Sequence, residues 1–306
     1  ESAWPSHGSV VILSGLLYCT AGRSSFLDGG IRVYALDPAT AEVVHSTTIR
    51  SPDPDVNSDV GKPFEMDGVR TDLLTSDGRD LYLLQEQLGP TLERLTSPKL
   101  VRVGNRRAGM HLITTSGFFD DSWFNRNFWT YSCEWPGFYF GHRASKTGQL
   151  VVFDEERVYS VKVFDKRAGQ SAEHALNGGY GLVADHVSAE PVLLPSAIGR
   201  DKSEGFARSA PAIWNVTVPL RPKAMVLAAD KLCIAGFPDT FLTSHTPSEL
   251  GECRESELWI MSAATGEKVF SLPLAQAPLF DGLVAAQGSL FVTSWDGRIT
   301  CFGRAK

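Results

Sequence analysis

A short apolar run, a tight turn and a second apolar run recur five times in this chain of 306 residues, and that repeat limits the fold more than any other feature. Residues 9–18 read SVVILSGLLY, with Ser14-Gly15 at the turn, and residues 72–84 read DLLTSDGRDLYLL, with Asp77-Gly78 between the runs. The form returns at 149–163 (QLVVFDEERVYSVKV), 225–235 (MVLAADKLCIA) and 283–292 (LVAAQGSLFV). Strand formers flanking two to four turn formers are the signature of β-hairpins. Their spacing, about 60 to 80 residues, matches one to two units of a repeating four-stranded sheet. No long segment holds a helical period, and 244–252 (SHTPSELGE) has room for one helical turn at most. The chain therefore reads as all-β, a β-propeller of four-stranded antiparallel blades. A large all-β domain can run to this length as one unit, so residues 1–306 are expected to form a single propeller domain or the C-terminal part of one.

A second repeat follows two of the hairpins. Residues 31–45 read IRVYALDPATAEVVH and residues 258–270 read LWIMSAATGEKVF. The pattern is strand, type I turn, strand. Asp37 can cap its turn, Thr40 and Thr265 can bond turn amides, and Gly266 can take a left-handed conformation. The last aromatic position, Phe270 in the second copy, is expected to pack between neighbouring sheets.

These residues resemble the tryptophan-docking motif of pyrroloquinoline-quinone (PQQ) propellers, Ala-x-Asp-x-x-Thr-Gly-x-x-x-Trp. Ala35, Asp37, Thr40 and His45 carry the likeness once, and Thr265, Gly266 and Phe270 carry it again. His45 and Phe270 stand where the motif has Trp, Ala41 where it has Gly, and Ser262 where it has Asp. The segments ESAWPSHGSV, AGRSSFLDGGIRVYALDP, TSGFFDDSWFNRNFWTYS and FDGLVAAQGSLFVTSWDGRITCFG are similar to a planctomycete-type group of large quinoprotein-like repeat proteins. The resemblance implies a bacterial, secreted or periplasmic protein with an eight-bladed-type ring. The five to seven blades that ~40–50 residues each would allow make this chain a partial ring, with residue 1 an internal or processed end. The resemblance also brings PQQ and calcium into view. Active quinoprotein dehydrogenases carry a vicinal Cys-Cys pair and a calcium site of Glu, Asn and Asp, and this chain has no Cys-Cys pair. No cofactor is predicted for it.

Several function classes are excluded or unsupported. A net charge of -6 with scattered Lys and Arg opposes nucleic-acid binding. No stretch of 18 apolar residues exists to span a membrane as a helix. The five cysteines (Cys19, Cys133, Cys233, Cys253, Cys301) form no CxxC, and the seven histidines no HxH or HExxH, so no metal site is indicated. Cys233 and Cys253 could close a short loop, or the cysteines could serve as small buried apolar residues. There is no Walker A loop, GxSxG elbow or dinucleotide fingerprint.

Residues 118–140 (FFDDSWFNRNFWTYSCEWPGFYF) are the strongest local anomaly, read as an aromatic inter-blade insertion. Eleven of the 23 residues are aromatic. Trp123 and Trp129 with Asp120, Asp121, Asn125 and Arg126 suit a glycan or another polar small molecule, through ring stacking and hydroxyl hydrogen bonds. The same aromatics could instead pack on the blades, with Arg126 paired to Asp120 or Asp121. Arg23, in the loop 23–30 (RSSFLDGG), could clamp an anion or pair with Asp28 while Gly29-Gly30 turn the chain. His111 and His142 flank the aromatic tract, and either could act as a base in a polysaccharide lyase-like or hydrolase-like enzyme. Asp120 and Asp121 are adjacent, which sends them to opposite sides of an extended segment and argues against their acting as a pair. The leading reading is a saccharide-binding or scaffolding module that docks the remaining blades or another domain. The alternatives are a glycan enzyme and a PQQ-dependent oxidoreductase.

Overall fold

The computed structural model describes residues 4–6, 10–50, 73–83, 86–95, 109–114, 129–133, 144–162, 179–193, 206–238 and 256–303. The contacts divide into two compact units, Glu1–Gly141 with Leu193–Phe206, and His142–Val192 with Ala207–Lys306. None of the described residues is helical. Among the described residues the architecture is thus all-β, with antiparallel sheets of three and four strands of the kind that forms propeller blades.

The first unit opens with a four-stranded sheet, β1 (Val11–Leu13), β2 (Leu16–Ala21), β3 (Ile31–Leu36) and β4 (Val43–Ile49), paired in sequence order. Val11 opens its outermost described strand. The first hairpin turns at Ser14 (φ 50°) and Gly15 (φ 82°), both left-handed, as a two-residue turn between twisted strands requires. A three-stranded sheet follows, β5 (Thr75–Ser76), β6 (Leu81–Leu83) and β7 (Glu86–Leu88), then the paired strands β8 (His111–Thr114) and β9 (Trp129–Ser132). Tyr18, Ile31, Val33, Ala35 and Ile49 of the first sheet pack with Leu74, Leu81, Leu83 and Leu88. The Tyr18 hydroxyl donates to the Pro90 carbonyl at 2.8 Å, giving that buried ring a polar anchor.

The second unit begins with β10 (Thr147–Gly148) and holds two four-stranded sheets and one of three. The first joins β11 (Leu150–Phe153), β12 (Arg157–Lys162) and β13 (Tyr180–His186); β14 (Pro191–Leu193) and β15 (Phe206–Arg208) pair with each other before β16 (Trp214–Val218) returns to its edge. The next is β17 (Leu220–Ala228), β18 (Lys231–Pro238), β19 (Ser256–Ser262) and β20 (Lys268–Leu274); the last is β21 (Pro278–Ala286), β22 (Ser289–Ser294) and β23 (Ile299–Phe302). Period-two alternation sends the side chains of β18 to two neighbours. Leu232 and Ile234 join the core with Tyr159, Leu182 and Leu150, while Cys233 and Ala235 join the core with Leu283 and Val292. Cys233 is thus a small buried apolar group and an unbridged thiol, so no Cys233–Cys253 bridge forms. Cys253 and residues 244–252 lie outside the described residues.

The repeated turn forms as its residues require. Asp37 Oδ1 accepts the amides of Ala39 (2.7 Å) and Thr40 (3.0 Å), and Thr40 Oγ1 accepts the Glu42 amide. Ser262 and Thr265 repeat this in the second copy, and Gly266 is left-handed at φ 74°. The expectation for the closing aromatic is overturned. Phe270 is 56% exposed. The residue that docks is Trp214, which pairs with Ala184 just as Phe270 pairs with Ile260 and His45 with Ala35. Its indole Nε1 donates to the Ala263 carbonyl at 3.0 Å, and its ring lies so close to Gly266 that a Cβ there would be 2.7 Å from Cε3. Phe270 has no comparable docking contact among the described residues.

Two stability changes follow. Gly266→Ala should lower stability by roughly 2 kcal/mol, combining a left-handed alanine with displacement of the indole. Ala41→Gly, at the equivalent position with φ 61°, should raise it by about 0.5 kcal/mol, the relief of strain less glycine's extra unfolded-state freedom. Denaturant midpoints of the two variants check both signs.

Candidate functional site

The Asp77-Gly78 turn builds a polar cluster between the three-stranded sheet and β8. Asp77 Oδ1 accepts the amides of Arg79 (2.9 Å) and Asp80 (2.8 Å), and Gly78 takes φ 88°, so the turn is fixed by its own side chain. Asp77 Oδ2 faces inward and accepts the Tyr82 hydroxyl at 2.8 Å. That hydroxyl oxygen in turn accepts the Gly109 amide (3.2 Å) and Gln87 Nε2 (3.3 Å). Gln87 also donates to Asp80 Oδ2 at 2.8 Å, and Arg79 forks onto the same oxygen. A Cβ on Gly109 would overlap the Asp77 carboxylate, so only glycine allows this approach.

His111 lies flat on Tyr82, with ring centroids 3.7 Å apart and planes 12° from parallel. It is 3% exposed. Nδ1 is 2.7 Å from the Gly109 carbonyl and must donate to it, which leaves Nε2 as a buried acceptor with no partner among the described residues. Burial drives the His111 pKa down to about 4, against the weaker pull of the Gly109 carbonyl and the Asp77 charge. Burial, then the bond to Asp77, pushes the Tyr82 phenol well above its usual value. Burial alone would raise Asp77, but the amides of Asp80 and Arg79, the Tyr82 hydroxyl and the Arg79 charge together hold its carboxyl low. Near neutral pH the three groups are therefore a neutral imidazole, an intact phenol and a carboxylate. None is poised to exchange a proton in that range, as general acid–base catalysis requires.

The structure separates the two described members of the sequence-based site. In the β8–β9 ladder Thr114 pairs with Trp129 and Leu112 with Tyr131, while His111 pairs with Ser132. Directly paired residues share a face and successive residues alternate. His111 thus lies on one face, and Trp129 and Tyr131 on the other, both partly exposed. Tyr131 completes an aromatic pair that the strand alternation in WTYS encodes. Arg23 Nε donates to Asp28 Oδ2 at 3.0 Å, and the Gly30 amide bonds the Leu27 carbonyl to close the loop. Trp123, Arg126, Asp120, Asp121, Asn125 and His142 lie outside the described residues.

A second polar cluster, which no sequence motif marks, lies under the 144–148 segment. Asp185 accepts the Lys146 amide at 2.9 Å and pairs with Arg208. Lys146 Nζ donates to the Val187 carbonyl at 2.8 Å and pairs with Glu190, while Lys162 Nζ donates to the Ala144 carbonyl at 2.5 Å. Burial first, and the Arg208 charge second, lower the Lys162 pKa to about 7. The one signal in the sequence is Asp185 inside the apolar run YGLVADH. The cluster ties a buried backbone segment to β12 and β13.

Neither cluster fits a calcium-held quinone. Among the described residues no three His, Cys, Asp or Glu side chains converge on a point where a metal could sit. Cys19, Cys233 and Cys301 stand on three different sheets. No helix among the described residues is long and apolar enough to cross a membrane.

No family model matches the chain, and no curated protein matches it in sequence. Among solved structures, BamB from Moraxella catarrhalis is similar at 10% identity, with 97% of this chain and 82% of that one covered and a TM-score of 0.40. Hydrazine synthase from Kuenenia stuttgartiensis is similar at 10% identity, covering 98% and 77%, with a TM-score of 0.48. Quinohemoprotein alcohol dehydrogenase ADHIIG from Pseudomonas putida HK5 is similar at 10% identity, covering 99% and 65%, with a TM-score of 0.42. At such identities and TM-scores none of these likenesses bears on the site or on activity.

His111 makes the fold acid-sensitive. Its folded pKa, about 4, lies below the ordinary 6.5, so the unfolded chain takes up a proton first as pH falls. Stability should be intact above about pH 6.5 and should drop by about 3 kcal/mol by pH 4, because each pH step between those two values costs about 1.4 kcal/mol. His111→Phe keeps the ring stack and removes the titration. A pH series of denaturant midpoints should show a flatter acid limb for this variant than for the parent chain.

Proposed function

We propose that the chain is a non-catalytic propeller module of a secreted or periplasmic protein that binds a saccharide. The observation that supports this most directly is the pairing of Trp129 and Tyr131 on one partly exposed face of the β8–β9 ladder. Two aromatic rings two residues apart on a strand lie about 6.5 to 7 Å apart, a spacing suited to stacking a pyranose. The strand emerges from the aromatic tract 118–140, whose Trp123, Asn125 and Arg126 supply further stacking and hydroxyl-bonding groups to the same ligand.

The described acid–base groups beside the β8–β9 ladder point away from catalysis on its aromatic face. His111 is turned to the opposite face, shielded and neutral, and the nearby carboxylates cap turns or hold Tyr82. A lyase or hydrolase would need a base reachable from the aromatic face, and His111 is not one. A scaffolding role is compatible with saccharide binding.

Trp129→Ala and Tyr131→Ala should each weaken binding by about 1–3 kcal/mol, roughly 5- to 150-fold, with the melting temperature little changed. A glycan array on the parent chain, followed by calorimetric titration of its best ligand against each variant, reads this out. An array without hits, or variants that lose only thermal stability, would return both rings to a packing role.

A further inference from the structure

We propose that the β8–β9 ladder is an acid-labile element of the first unit: protonation of His111 opens it away from Tyr82 while the sheet of β1–β4 stays folded, and the aromatic face is lost with it. The loss of ligand rests on the saccharide reading of that face; the opening does not.

The ladder is held differently from its neighbours. β2, β3 and β6 supply Tyr18, Ile31, Val33, Leu81 and Leu83 to one apolar core. Among the described residues no side chain of β8 or β9 belongs to an apolar core. Two contacts tie the entry of β8 to the Asp77 sheet, and both end on Tyr82. The Gly109 amide donates to its hydroxyl at 3.2 Å, and the His111 ring stacks on its face at 3.7 Å. Elements that share few apolar contacts open at lower cost than the whole fold. His111 thus stands at the fastening of the ladder.

A proton arriving at His111 finds no acceptor for the bond it creates. Nδ1 already donates to the Gly109 carbonyl at 2.7 Å, and Nε2, which would take the proton, is buried with no partner among the described residues. The imidazolium would carry a second buried N–H with nothing to receive it. The charged groups around it give little in return. Tyr82 is a neutral phenol, and Asp77 lies beyond its hydroxyl, already accepting that group and two turn amides. Asp80 is engaged by Arg79 and Gln87. Glu86, paired with Arg94, alternates to the other face of β7, because Gln87 is the residue that pairs with Tyr82. On β9 the residue opposite His111 is the uncharged Ser132.

Opening exposes Nε2 to water. The open form then takes the proton near the ordinary pKa of 6.5, while the closed form resists it down to about 4. The open population should rise about tenfold per pH unit between those values, and roughly twentyfold from pH 7 to pH 5. Affinity for a ligand of the aromatic face falls with the closed fraction.

Hydrogen–deuterium exchange of the full chain at pH 7 and pH 5, with labelling times matched for the intrinsic rate, tests the proposal. Amides of β8 and β9 should lose about twentyfold protection at pH 5, while those of β2 and β3 keep theirs. His111→Phe keeps the stack and cannot take the proton, so its ladder should hold the pH 7 protection. Should that variant fold poorly, the contrast between ladder and β2–β3 in the parent chain still decides the matter. Unchanged ladder protection at pH 5, equal losses in β2 and β3, or the same loss in a folded His111→Phe chain would overturn the proposal. The best glycan from the array, added at pH 5, should restore ladder protection. A glycan that binds at pH 7 yet leaves the pH 5 exchange unchanged would sink the coupling to the ligand. An array without hits counts against the saccharide reading alone, because the exchange contrast needs no sugar.

Discussion

The central strands of the second unit are covered on both faces, and many of its other features follow from that constraint. A strand sends successive side chains to opposite sides. A sheet between two neighbours must then be apolar at odd and even positions alike, as β18 is with Leu232 and Ile234 on one side and Cys233 and Ala235 on the other. Such strands lose the apolar–polar alternation that distinguishes a half-exposed strand. The repeat stays readable because the turns stay polar. Asp37, Asp77 and Asp154 each use a carboxylate oxygen to accept turn amides, which fixes where one strand stops and the next begins.

Stacking also decides where polar groups can be buried. The interior of a sheet stack offers few places where a side chain meets backbone amides that no strand uses, and both buried clusters lie at such places. One lies under the Asp77 turn, where the Gly109 amide reaches the Tyr82 hydroxyl. The other lies under 144–148, where the Lys146 amide reaches Asp185. Their ionisable groups shift in the directions that suit burial, with His111 and Lys162 drawn toward their neutral forms. An unpaired buried charge costs more than the proton does, so the fold selects the protonation state.

The hairpins, their turn residues and the Arg23–Asp28 pair were legible in the sequence because each depends on neighbours a few positions apart. The docking residue was not. Phe270 closes the recognisable motif, yet the residue that docks is Trp214, whose surrounding sequence lacks the motif. It shares only a register position with Phe270, and register emerges once strands are paired. The same limit applies to the site. His111 and Trp129 are close in sequence and flank or lie within one aromatic tract, which suggested joint action. Pairing places them on opposite faces, because an even-numbered step along one strand and the matching step along its partner preserve the face and an odd one reverses it.

That reversal divides the labour of the β8–β9 ladder. The His111 face is committed to Tyr82 and, through it, to the Asp77 turn, so a change there would be felt as stability. The opposite face of the ladder carries Trp129 and Tyr131, both partly exposed. A two-residue period thus gives adjacent positions on one short strand different surroundings. On β9 alternation turns Thr130 and Ser132 inward, where both are fully buried, and leaves Trp129 and Tyr131 partly exposed on the other face.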